Sequence, residues 1–254
     1  MPELSAVIIT LNEERNIGRC IDSLKDVVDE IIVVDSGSED RTKEICLEKG
    51  ARFEFNEWKG YIEQKNYANS IAKYDHILSI DADEALSDEL RSSILEVKKH
   101  FDADAYEMNR LTNYCGKWIL HGGWYPDRKL RLFHRDKFEW GGERIHERIV
   151  KKTENTLVTK LKGDLLHYSY YDIAQHITQA NHFTDMTAAL AVEKGKNAGM
   201  LKIIFSPPVK FIRDYFIRLG FLDGYYGYVV CRISAQATFM KYAKIRQMKR
   251  DKKS

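Results

Sequence analysis

Residues 77–86 read ILSIDADEAL. An apolar run, residues 77–80, ends in Asp81 and Asp83 with one residue between them and Glu84 directly after. Carboxylates this close repel one another. Their placement at the end of a buried strand needs an offset: a cation, a hydrogen-bonding ligand or solvent. Side-chain direction in an extended chain repeats every two residues, so Asp81 and Asp83 are expected on one side. Glu84 is expected on the other, starting the turn into the next helix. Two oxygen donors aimed at one spot suit Mg²⁺ or Mn²⁺, which takes one or two protein carboxylates and completes its shell with phosphate oxygens and water. Two solvated aspartates would read the same way.

Outward from this strand, the first hundred residues alternate between short apolar runs and helical spacing. LSAVIITL, EIIVVD, ARFEFN and HILSID read as strands. Between them, NEERNIGRCIDSL, EDRTKEICLEKG and YIEQKNYANSIA read as helices, and SDELRSSILEVKKH follows as a fourth. Asn12 is expected as N-cap of the first, Gly50 at the end of the second, and Ser87 as N-cap of the last. This βα alternation predicts a mainly parallel central sheet flanked by helices, an α/β fold. Ligands of such sheets bind beyond the carboxyl ends of the strands. Three strand exits, TLNE, VVDSGSED and SIDADE, are polar and acidic and should open on one edge.

Beyond residue 100 the pattern changes to a mixed or antiparallel region. DAYEMNRLTNYCGKWI, RKLRLFHRD, RIHERIV and TLVTKLKGDLLHYS read as strands, broken by the glycine-rich turns HGGWYPD and EWGGE. From Asp172 the chain reads as helical. The expected division is 1–100, a nucleotide-binding half; 101–170, an acceptor-binding and catalytic half of the same domain; and 171–254, a helical extension.

The 254 residues are 44% hydrophobic and carry a net charge of +2. That balance hides an asymmetry: residues 201–254 hold 12 lysines and arginines against three aspartates. Phe, Tyr, Ile and Leu are interleaved with those cations, and Pro207 and Pro208 are expected to break the stretch. Such a pattern suits an anionic membrane surface; a helical pair with basic solvent faces is the plainer reading. Nucleic acid is not expected, since no binding motif accompanies the charge. Four scattered cysteines without a CxxC pair argue against a disulfide scaffold or zinc site and for a reducing compartment. No leader-like segment opens the chain and no run of eighteen apolar residues occurs, so a cytoplasmic protein is expected, peripheral at a membrane if attached at all.

VIITLNEERNIGRCIDSL, EIIVVDSGSEDRT, KNYA and ILSIDADE, in this order and spacing, resemble the nucleotide-sugar half of family-two glycosyltransferases with the GT-A fold. RLFHRD, RIHERI and GFLDGYYGY are similar to a subgroup that builds lipopolysaccharide core, which includes β-1,4-glucosyltransferases acting on inner-core heptose. The resemblance covers nearly the whole chain. It implies a nucleotide-diphospho-sugar transferase fold, a nucleotide-sugar donor (UDP-glucose), a lipid-linked or core-oligosaccharide acceptor, a divalent metal, and a place on the cytoplasmic face of a bacterial inner membrane.

By that resemblance Thr10, Asn12 and Glu13 lie near the nucleotide, and Asp35 accepts a hydrogen bond from uracil or ribose. Asp81 contacts ribose or metal, Asp83 is the main metal ligand, and Lys65 lies close to the nucleotide or phosphates. Inversion by direct displacement needs one base for the acceptor hydroxyl. Glu147 is the first choice and Asp127 the reserve, with His146 near the metal or diphosphate. Arg131 is a candidate for phosphate binding. Each has a structural alternative: a cap for Asn12, a solvated helix position for Lys65, ion pairs for Glu147 and Arg131. A phosphatase of the haloacid-dehalogenase type also uses DxD, but near the N-terminus. A sugar nucleotidyltransferase would carry a glycine-rich loop after its first strand, where TLNEERN has none. A catalytically inactive nucleotide-sugar-binding module of the same fold is the remaining rival.

Overall fold

The computed structural model describes residues 2–143 and 146–251, with the side chains of residues 143 and 146 excepted. The chain divides into two compact units, Met1–Arg110 with Asp127–Tyr168 and Leu111–Pro126 with Ser169–Ser254.

In chain order the elements are β1 (Leu4–Thr10), α1 (Ile17–Leu24), β2 (Glu30–Asp35), α2 (Thr42–Glu48), β3 (Arg52–Phe55), α3 (Tyr61–Ile71), β4 (His76–Asp81), β5 (Glu84–Leu86) and α4 (Asp88–Lys99). Then come β6 (Ala105–Tyr114), β7 (Lys117–Ile119), β8 (Asp127–His134), β9 (Phe138–Glu143), β10 (His146–Lys151) and β11 (Val158–Tyr170). The helices α5 (Ile173–Glu193), α6 (Met200–Ile212) and α7 (Gly224–Asp251) follow; a π-helical turn, Arg213–Ile217, and a 3₁₀ turn, Gly220–Asp223, join the last two.

In the first unit the strand order is β3-β2-β1-β4-β8-β6-β11-β5. The pairs β3·β2, β2·β1 and β1·β4 are parallel. The pairs β4·β8, β8·β6 and β11·β5 are antiparallel. The sheet is therefore mixed: GT-A-like, with a parallel half built by the βα alternation and an antiparallel half from the later strands. β1 is nearly all buried because both of its faces are covered, which explains its unbroken apolar run. On one face Ile17, Cys20, Ile21 and Leu24 of α1 and Leu90 and Ile94 of α4 join Leu4, Ala6 and Ile8 in the main core. On the other, Val7 packs with Ala68 and Ala72 at the α3 side and Phe133 and Phe138.

The chain returns to add β4 beside β1, after β2 and β3 were laid on its other side. The order reverses there, and ligands of such sheets bind outside the carboxyl ends of the strands at that point. Thr10 lies in register with Asp35, and Ile9 with Asp81.

Local signals held where backbone chemistry decides. Ser87 Oγ accepts from Leu90 N–H at 3.2 Å, and Gly50 follows α2 at φ +78°. Asn12 does not cap α1. It sits at φ +55°, and its Oδ1 accepts from Glu39 N–H at 2.9 Å, tying the β1 exit to the β2 exit. EWGGE is strand rather than turn. Gly141 of β9 lies so close to Val150 of β10 that a Cβ there would sit 2.8 Å from its Cγ2. Glycine is thus present for cross-strand clearance, not for a bend.

The second unit holds β7, which pairs with residues 112–114 of β6, and helices α5 to α7. Tyr114, Ile119 and Val230 form one small core, and Ala188, Val192, Ala198 and Ile245 another. Pro207 and Pro208 lie inside α6 without ending it. Each removes one intrahelical donor, and the packing of α6 on α7 holds the helix through them.

Candidate active site

The three acidic strand exits lie side by side at the carboxyl ends of β2, β1 and β4. Asp35 Oδ2 accepts from the N–H groups of Gly37 and Ser38, both at 2.7 Å, and Oδ1 from the Ser38 hydroxyl. Its carboxylate shapes the β2 exit and keeps one acceptor site on Oδ1. Thr10 is 5% exposed, and its Oγ1 has no hydrogen-bond partner among the described residues. A buried hydroxyl without a partner is costly unless something completes it. Glu13 Oε2 accepts from Asn16 Nδ2 at 2.8 Å. Burial raises the Glu13 pKa, the Asn16 bond opposes that, and Asp83, Asp40 and Asp81 add to it.

Asp81 is the hub. Lys65 Nζ lies 2.9 Å from its Oδ1 and Arg131 Nη2 donates to its Oδ2 at 2.7 Å. Burial alone would raise the Asp81 pKa, but Arg131 and Lys65 outweigh it and hold the carboxyl far below the usual carboxylate range. Arg131 Nη2 also donates to Glu84 Oε1 at 2.9 Å, and Glu84 Oε2 accepts from Asp81 N–H at 2.9 Å. Glu84 therefore does not merely start a turn. It is fully buried, pairs with Arg110 at 3.4 Å as well, and ties the strand exit from behind.

Asp81 and Asp83 contact different partners, yet both carboxylates bear on Glu13 and on Tyr61. Each oxygen of Asp81 meets one cation and keeps a further acceptor site. Asp83 Oδ2 lies 3.1 Å from His167 Nε2. The antiparallel register of β11 on β5 sets His167 opposite Glu84, and Tyr168 N–H donates to the Asp83 carbonyl at 2.9 Å. Arg131 is not a surface phosphate ligand: its side chain is 4% exposed and backs Asp81.

Lys65 sits within a cage. Its Nζ lies 4.1 Å from the centre of the Trp140 ring and 3.9 Å from Glu147 Oε1. Trp140 is held by Asn66, which bonds both its N–H and its carbonyl, and by Ser79 Oγ, 3.2 Å from its indole nitrogen. Glu147 is on β10, and burial together with Glu147, Asp81 and Asp83 raises the pKa of Tyr61. Asp127, the other candidate base, is paired through both oxygens: Arg110 donates to its Oδ2 at 2.8 and 3.0 Å, and Lys129 lies 3.0 Å from its Oδ1. The His146 side chain lies outside the described residues.

Among the described residues no group of three or more His, Cys, Asp or Glu side chains is placed to hold a metal ion. Asp83 and His167 nonetheless fit a hard divalent cation that takes most of its shell from phosphate and water. Their chemistry fits, one carboxylate oxygen and one imidazole nitrogen, and here the two are paired directly with each other at 3.1 Å.

Residues 5–153 match the model of glycosyl transferase family 2. The chain belongs to that family. This glycosyltransferase is 33% identical over 258 residues to an uncharacterized glycosyltransferase of Rickettsia typhi, RT0209, covering 98% of this chain and 88% of that protein. It is 33% identical over 255 residues to the lipopolysaccharide core biosynthesis glycosyltransferase LpsC of Rhizobium meliloti, covering 96% and 92%. A glucosyl-3-phosphoglycerate synthase from Mycobacterium tuberculosis, solved with Mn²⁺ and UDP-glucose, overlaps 44% of each chain at 26% identity with a TM-score of 0.37.

Four residues of the transferase's site escaped the sequence reading of roles: Glu84, Arg110, Trp140 and His167. The signal for His167 was a histidine at the end of a strand-like run, which acquires meaning only once β11 is laid against β5.

Proposed function

We propose that this transferase moves a hexose from UDP-glucose to a lipopolysaccharide inner-core acceptor, by direct displacement with inversion. The observation that carries this reading is the cluster of Asp81, Lys65, Glu147 and the Asp83–His167 pair at the carboxyl edge of β1 and β4. It combines acceptors for a nucleoside, donors for a divalent cation and a carboxylate base. The relatedness to LpsC supports the class of acceptor.

In this reading the Thr10 hydroxyl and the remaining Oδ1 acceptor of Asp35 bind the base and ribose. Asp81, fixed and ionised by Arg131 and Lys65, accepts from a ribose hydroxyl. Asp83 and His167 would hold Mg²⁺ or Mn²⁺, which when bound would neutralise charge on a departing diphosphate. Glu147 takes the proton of the acceptor hydroxyl, and Lys65, 3.9 Å away, keeps its carboxylate positioned. Glu147 is favoured over Asp127 because the two oxygens of Asp127 are bound by Arg110 and Lys129. The acceptor is lipid-linked, and the basic segment 201–254 brings the enzyme to the cytoplasmic face of an anionic membrane.

The test is UDP release by purified protein given UDP-glucose, Mn²⁺ and core oligosaccharide, with the anomeric configuration of the product read by NMR. Turnover with a β-linked product is expected. A product that retains the α configuration of the donor overturns the displacement mechanism, and UDP binding without turnover on any core acceptor returns the chain to a binding module.

A further inference from the structure

Within the second unit, α6 turns its apolar face outward. Leu201, Ile204, Phe205, Val209 and Ile212 are 73%, 53%, 59%, 62% and 51% exposed. Their spacing (i, i+3, i+4, i+8, i+11) places them on one side of a helix. The stripe runs on through the π-helical turn, where Phe216 and Ile217 are 55% and 73% exposed, and into the 3₁₀ turn, where Leu222 is 55% exposed. This is a contiguous apolar edge of the kind that marks an interaction surface.

The charge around it is one-sided. Residues 194–250 contain twelve lysines and arginines and two acids, Asp214 and Asp223. Both acids are buried, at 1% and 3% exposure. Asp223 is consumed by His121 and the N–H groups of Leu120 and His121. Asp214 lies under Lys210, Arg213 and Arg218, whose side chains stay 29%, 46% and 46% exposed. The charge this stretch offers to solvent is therefore positive throughout. Lys202 of α6 and Arg213 at the start of the π-helical turn follow one border of the apolar stripe.

We infer that the edge formed by α6 and the two turns after it is an interfacial anchor that lies in the headgroup layer of an anionic bilayer. The apolar stripe enters the acyl boundary while the flanking cations meet lipid phosphates. No helix among the described residues is long and apolar enough to cross a membrane, so the element lies on the surface rather than through it. A second copy of the same face is a poor occupant, because it would set cations against cations around the shared apolar patch. Two lysines near the end of α7 are engaged elsewhere. Lys244 Nζ bonds Asn181 and Thr184 and pairs with Asp185 at 2.7 Å, and Lys249 donates to the Gly195 carbonyl at 2.8 Å. Those cations fasten α7 to α5. This inference rests on the membrane part of the proposed function and not on its chemistry.

Flotation of the full chain with vesicles rich in phosphatidylglycerol, and with pure phosphatidylcholine vesicles, tests it. Wild type should float with the former and far less with the latter. Ile204→Ser with Phe205→Ser, both exposed, should weaken vesicle binding by about tenfold or more. UDP binding and the unfolding temperature should stay unchanged. Lys249→Gln on α7 should change vesicle binding less than about twofold. Equal flotation of the Ile204/Phe205 variant overturns the anchor. So does a wild type that ignores phosphatidylglycerol but forms a dimer that this variant dissociates. Vesicle binding without any UDP-sugar binding sustains the anchor and sinks the catalytic reading instead.

Discussion

His167 Nε2 stands 3.1 Å from Asp83 Oδ2, joined across the β11·β5 ladder. The proposed cation depends on both side chains equally. Asp83→Ala and His167→Ala should each weaken Mn²⁺-dependent UDP binding by about tenfold to a hundredfold, read by calorimetric titration of UDP with and without Mn²⁺. Metal removal by a chelator should reproduce the loss in wild type and add nothing further in either variant. Undiminished Mn²⁺-dependent binding in His167→Ala would falsify its role as a ligand.

Glu147 and Asp127 differ in how they are held, and their variants should differ in kinetics. Glu147→Gln should keep donor binding while kcat for transfer falls by about a hundredfold to ten-thousandfold. Asp127→Asn breaks pairs with Arg110 and Lys129, so it should lower stability more than chemistry. If steady-state assays show the reverse split, Asp127 is the base.

Arg131 neutralises two carboxylates in a dry place. Arg131→Met leaves Asp81 and Glu84 short of their shared partner while an unbranched apolar stem is kept. Breaking a buried pair this way costs about 3–5 kcal/mol, so the unfolding temperature should drop by about 10 °C. A drop of a degree or less in calorimetry means that Lys65 and Arg110 suffice for the two acids.

In the second unit, burial pushes His176 down to about 4, and its Nδ1 lies 3.0 Å from the Tyr114 hydroxyl. An unfolded histidine titrates near 6.5. As pH falls below that, the unfolded chain takes up the proton first, so stability declines until about pH 4 and then levels off. The full span corresponds to about 3 kcal/mol. His176→Gln should flatten the difference between unfolding free energies at pH 7 and pH 5; an unchanged slope would mean that His176 is not the group responsible.

The parallel half of the sheet was legible because its signals are local. Apolar runs marked β1, β2 and β4, Ser87 and Gly50 marked helix ends, and the acidic exits Asp35 and Asp81 converge on one edge, as the βα alternation requires. What escaped was set by long-range pairing. β5 has only three residues, Glu84 to Leu86, too short for any periodicity, so the buried role of Glu84 was invisible. Arg131 reads as a phosphate ligand until the sheet closes over it. Gly141 looks like a turn residue until Val150 is found against it. Asn12 has the chemistry of a cap, yet the β2 exit competes for its side chain and wins.

The pairing of β11 with β5 spans three residue pairs, Leu165 with Leu86, Leu166 with Ala85 and His167 with Glu84. So brief a ladder works like the pitch of a screw thread: a single deleted residue in β11 would present Leu166 or Tyr168 where the imidazole now stands. Insertions and deletions in this strand should thus be far more damaging to the transferase than substitutions along it, and a paired insertion and deletion flanking residues 165–168 should restore what either alone destroys.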